Sequence, residues 1–172
     1  MRYLFAALLV LLAQPAFAQY PPKGAIEIKD CFIQFGGNKW KAALEPCRRG
    51  AEAGDASAQA RYAEVLLQLD TAKRNGKKVA LWFCKSIAQG YGYAPMRLGA
   101  MHYNGYGFLK NEMKAFIWWL VAEKKSEGTF IAKEVREARR DLKLSPDQIT
   151  KAKKRADAIM KQIKAGTLKR CD

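Results

Sequence analysis

The feature that most constrains this chain is self-similarity at a spacing of 36 residues. Gly54 maps onto Gly90, Ala58 onto Ala94, Arg61 onto Arg97, Ala63 onto Gly99 and Cys47 onto Phe83. A period of this length marks a repeat array, in which no unit buries its apolar face alone and neighbours must stack. Most apolar residues recur at three and four, the period of a helix face, and strand signals are scarce. The expected class is all-α.

The ends narrow the setting. Met1-Arg2 and the apolar run Leu4–Ala13 lead to Ala16-Phe17-Ala18. That is the pattern of a signal peptide over residues 1–18, cleaved after Ala18 to leave Gln19 first. No Cys follows the apolar run to accept a lipid, and no later stretch is apolar enough to span a bilayer. A periplasmic or secreted protein is expected. Cys31, Cys47, Cys84 and Cys171 all survive cleavage. An even count in an exported chain reads as two disulfides, and spacing alone leaves three pairings open. Metal binding fits poorly, because no C-x-x-C occurs and His102 lies far from each cysteine. No metal or other cofactor is expected.

The formal charge is +15, with 31 basic and 16 acidic residues. Both halves of the mature chain contribute to it. This favours acidic partners such as a protein, a peptide or an anionic envelope surface. Nucleic acid fits the charge but not the export signal.

Along the chain, helices are expected over Ile26–Phe35, from Asn38 (as a cap) to Ala53 with a kink at Pro46, and over Ala56–Leu69 behind an Asp55 cap. Thr71–Lys78 reads as a polar turn, followed by helices over Val79–Gln89, Ala94–Tyr103, Glu112–Lys125 and Phe130–Leu142. The last helix has the clearest start. Ser145-Pro146-Asp147-Gln148 places a capping hydroxyl, a proline at the first helical position and a Gln at the capping-box position. Ile149, Ala152, Ala156, Ile159 and Ile163 form its apolar stripe, and six Lys and Arg residues its other face. Residues 19–144 are therefore expected to form the repeat domain, and residues 145–172 a C-terminal capping helix and basic tail. A basic amphipathic helix also suits an anionic lipid or polysaccharide surface.

The pattern Ala94-x-x-x-Leu98-Gly99-x-x-His102-x-x-Gly105-x-Gly107-Phe108, followed by Ala115-x-x-Trp118-x-x-x-Ala122, resembles one unit of the Sel-one-like repeat family, relatives of the tetratricopeptide repeats. The usual unit has an aromatic where His102 stands, an acid at Asn111 and an Ala at Glu123. The unit Gly54–Gln89 keeps Ala58, Ala63, Ala80, Phe83 and Ala88 but lacks the Gly-x-Gly turn. The resemblance implies a tetratricopeptide-like α/α solenoid of two to three units, the first and last degenerate. In its hairpins Cys31 and Cys47 would flank the Gly36-Gly37-Asn38 turn on antiparallel helices. Cys84 and Cys171 would then tie the tail to the middle repeat.

The family mostly consists of protein–protein adaptors, monomeric in the expected case here, with a concave face lined by the first helix of each unit. Carried onto this chain, that face holds Arg61 and Arg97 at equivalent positions, with Glu64 and Met101 beside them. Paired arginines suit a partner's carboxylate. Tyr91, Tyr93, Tyr103 and Tyr106 gather around the middle turns, as binding aromatics or as packing between repeats. No catalytic set stands out, so no enzyme is expected, and His102 reads as a packed core residue. Some exported cysteine-rich members are described as binding or hydrolysing β-lactams. A β-lactam or cell-wall ligand binder or hydrolase is the alternative reading, although Lys124-Lys125-Ser126 runs opposite to the Ser-x-x-Lys order that chemistry uses.

Overall fold

The computed structural model describes residues 25–69, 72–126 and 129–171. The expected signal peptide lies outside them. Among the described residues eight α-helices follow one another: α1 (Ala25–Gly36), α2 (Trp40–Glu52), α3 (Ala56–Gln68), α4 (Ala72–Ala88), α5 (Tyr93–Asn104), α6 (Glu112–Lys125), α7 (Phe130–Ala138) and α8 (Pro146–Lys164). A 3-10 turn, Arg139–Asp141, extends α7. No strand occurs among the described residues.

Sequential helices pack as antiparallel hairpins, α1 on α2, α3 on α4 and α5 on α6, and each hairpin leans on the next. The odd-numbered helices α1, α3, α5 and α7 also touch in succession and form one layer of the array. The sixth helix carries both α7 and α8. The expected all-α solenoid is what forms.

Local chemistry sets the ends of the helices. Asp55 caps α3 by accepting the Ala58 N–H at 2.7 Å, and Asn111 caps α6 by accepting from Lys114 at 2.8 Å. Both satisfy amides that have no partner within the helix. Ser145 and Gln148 form the full reciprocal capping box of α8. Gly105, at φ 74°, ends α5 in the left-handed conformation, which glycine adopts without a Cβ penalty.

Two sequence expectations are corrected. Asn38 does not cap α2: it takes φ 54° in the turn, and Lys39 precedes the helix without a side-chain cap. Helix α2 continues through Pro46. From Ala72 on, the polar segment expected as a turn is helical, because α4 already begins there. Gly76 explains how that early turn fits. A Cβ there would strike the backbone of Gly107, so two glycines let α4 meet the α5–α6 loop directly.

The core is continuous from Cys31 through Phe83, Leu98 and Trp118 to Ile159. Small residues set the helix spacing. A Cβ on Gly99 would overlap the indole of Trp119, whose Nε1 donates to the Met96 carbonyl at 3.1 Å. Two disulfides tie the array, Cys31–Cys47 within the first hairpin and Cys84–Cys171 from α4 to the tail. In a chain-entropy account each contributes roughly 2–4 kcal/mol.

Candidate functional site

The layer of odd-numbered helices brings together most of the residues that the repeat pattern singled out. Arg61 on α3 and Arg97 on α5 have different surroundings despite their equivalent positions. Arg97 donates from Nε and Nη2 to the two carboxylate oxygens of Glu64, each at 2.5 Å. Glu64 is only 3% exposed and also accepts from Gln68 at 2.8 Å. This bidentate pair bridges α3 and α5; the Glu64 carboxylate is buried while Arg97 is half-buried, so removing Arg97 strands a buried charge.

Among the described residues, no carboxylate pairs with Arg61. Its guanidinium lies 3.6 Å from the ring centre of Phe32 and 5.4 Å from that of Phe35, both on α1. Its Nη1 donates to the Tyr91 hydroxyl at 3.1 Å, and Nε is buried without a hydrogen-bond partner. Phe32 itself is 41% exposed. Tyr91 packs edge-to-face on Tyr93. Burial, reinforced by the nearby Glu64 charge, pushes the Tyr93 hydroxyl up to about 12. The strip that reaches solvent on this layer is therefore the exposed Phe32 ring beside the half-buried Arg61, Tyr91 and Tyr93.

Two of the residues expected to be open on that face are buried. Met101 is 1% exposed and belongs to the core, because its position on α5 turns toward the packed hairpins. Glu64 offers no surface contact, since Arg97 already holds both of its oxygens. Of the other tyrosines, Tyr103 packs on Trp119 at 5.5 Å and Tyr106 is exposed.

His102 is packed, as its place in the repeat implied. Its ring is 3% exposed and stacks on Phe108 with centroids 4.7 Å apart. Sequence reasoning missed that neither ring nitrogen has a hydrogen-bond partner. An unsatisfied buried polar group costs about 1–3 kcal/mol, so the position is expensive. Burial, assisted by the charge of Lys114, lowers its pKa to about 4, and the imidazole is neutral at pH 7. The ring also borders a cavity of about 460 Å³ between α4, the α5–α6 loop and the C-terminal tail. The one available signal was a histidine where the repeat pattern carries an aromatic.

No group of three or more His, Cys, Asp or Glu residues suited to a metal ion occurs among the described residues. All four cysteines are bonded in disulfides. Two disulfides fit an oxidising compartment. No helix among the described residues is long and apolar enough to cross a membrane.

Compared by sequence with known families and with curated proteins, the chain matches none. Compared by structure, it is similar to the crystal structure of c5321, a protective antigen present in uropathogenic Escherichia coli strains and displaying an SLR fold. The TM-score is 0.69 at 23% identity over 84% of this chain, which spans 31% of the length of that protein. The helical hairpins, their stacking and this likeness agree: the chain has a Sel-one-like repeat fold.

Proposed function

We propose that the protein is an exported, non-enzymatic adaptor that binds an acidic or peptide-like segment of another envelope or extracellular protein along the α1–α3–α5 layer. The carrying observation is the half-exposed Phe32 ring with the half-buried Arg61 guanidinium 3.6 Å away. Aromatic rings and arginines dominate binding energy at protein interfaces. Such a pair offers apolar area and a positive charge in one place. Both disulfides and the signal-like first 18 residues support export. Helix α8 serves in this reading as the cap of the array, with its lysines solvated.

The test is cross-linking in cells with tagged protein, comparing wild type with Phe32→Ala combined with Arg61→Ala. Loss of a specific partner from the double variant is expected. Recovery of every partner at wild-type yield would show that this layer is not the docking surface. Charge reversal at Arg97 is unsuitable, because it would place two acids together and unfold the α3–α5 contact. N-terminal sequencing of the exported protein checks the compartment, and Gln19 is the expected first residue.

A further inference from the structure

The cavity beside His102 shares no residue with the Phe32–Arg61 strip. Its volume of about 460 Å³ falls in the range typical of small-molecule sites. The lining has two parts. Ala80, Leu81, Phe108 and the Cys84–Cys171 bridge supply an apolar wall, and Leu81 is 52% exposed at its mouth. Lys77 from α4, Lys114 from α6 and Lys169 from the tail converge on the same space, and no carboxylate lines it among the described residues. Like charges drawn together from three separate segments repel one another, and an anion between them relieves that repulsion. Beside these two parts stands His102, almost fully buried, with both nitrogens unpartnered at the edge of the cavity. A neutral imidazole in that position offers one donor and one acceptor.

We propose that this cavity binds a small aromatic anion, its ring against Phe108 and Leu81 and its acidic group among Lys77, Lys114 and Lys169. The aromatic wall and the cationic ring of side chains select together. A neutral ring loses the lysines, and a small inorganic anion loses the wall. The disulfide matters to the site because it holds Lys169 and Cys171 of the tail against α4.

Naphthoate and its uncharged counterpart naphthylmethanol are suitable probes, titrated into the full chain by calorimetry and by NMR. The chain has one histidine, so the imidazole resonance reports on this site without assignment. Expected results are saturable naphthoate binding that moves the His102 resonance, and naphthylmethanol binding weaker by at least about tenfold. Lys77→Glu with Lys114→Glu should weaken naphthoate by about tenfold or more, and so should Leu81→Asp, at an exposed position that tolerates the change. Lys151→Glu with Lys154→Glu on the exposed face of α8 makes the same change in net charge. It should weaken binding by less than about threefold, because distant charges are screened. Three results would each overturn the proposal: no saturable binding, equal losses in the two double variants, or binding that leaves the His102 resonance where it was.

Discussion

The first and third hairpins solve one packing problem in two ways. Cys31 and Cys47 stand 16 residues apart and bond to each other across α1 and α2. Shifted by the repeat spacing, the same two positions hold Leu67 and Phe83 in the second hairpin, and Tyr103 and Trp119 in the third. Tyr103 and Trp119 again face each other, with ring centroids 5.5 Å apart. One register position is thus a covalent staple at the start of the described array and an aromatic pair in its middle. The difference follows from the neighbours. Helices α5 and α6 are packed from both sides, by α3 and α4 before them and by α7 and α8 after them, so the Trp119 ring is buried and Tyr103 half-buried. Helix α1 packs mainly on α2 and α3, and Phe32 and Ile33 remain exposed on it. Area burial does less there, and a disulfide does not depend on it.

The sharpest way to break this comparison is to remove the ring that fills the third hairpin. Trp119→Ala should cost about 3–5 kcal/mol in denaturant unfolding, the range for a buried large aromatic. Next is Cys31→Ala with Cys47→Ala, expected to cost about 3 kcal/mol, the loop-closure value for a bridge of this span. Hydrogen exchange should place that loss in α1 and α2, with α5 and α6 keeping their protection. A uniform loss of protection would mean that the staple supports the whole array. Gly99→Ala inserts a methyl where the Trp119 indole lies and should cost about 1–3 kcal/mol. The equivalent Ala63 stands opposite the smaller Phe83 in the repeat, so Ala63→Gly should not mirror the effect.

The smallest change at neutral pH is expected at His102, whose counterpart in the second hairpin is Leu66. His102→Leu removes two unpartnered polar atoms and should stabilise by about 1 kcal/mol at pH 7. The effect should grow in acid. The folded-state pKa of about 4 lies below the usual 6.5, so only the unfolded chain takes up this proton between those values. Wild-type stability therefore falls as pH drops from about 6.5 toward 4, by up to about 3 kcal/mol from this residue. The leucine variant should lack that part of the slope, which thermal melts across the interval would show.

The features legible in sequence are those fixed by neighbouring residues. The Ser145–Gln148 capping box, the Asp55 cap and the Gly105 stop depend on backbone groups within a turn, and each forms where the pattern places it. The hairpins were legible because the repeat is. The start of helix α4 is not legible in the sequence, because Lys73, Arg74, Asn75 and Gly76 have turn-like chemistry while the close approach to Gly107 comes from packing. The same limit applies at the candidate site. Equivalence of Arg61 and Arg97 is visible at the 36-residue spacing. Their different partners, Phe32 on α1 and Glu64 on α3, depend on how the helices of the odd layer meet. Nor does a periodicity argument locate a cavity. Lys77, Lys114 and Lys169 lie in three separate segments, and the C-terminal disulfide is what holds the tail beside the other two.

That disulfide also changes how the molecule bears load. Cys84 and Cys171 are 87 residues apart, and the bond between them makes one covalent ring of everything from late α4 to the tail. Tension applied at the carboxyl end passes through sulfur into α4 and does not travel along α5 to α8. Those four helices are mechanically short-circuited. A single protease cut in the exposed α5–α6 loop would leave both fragments in one molecule, still joined at the bridge.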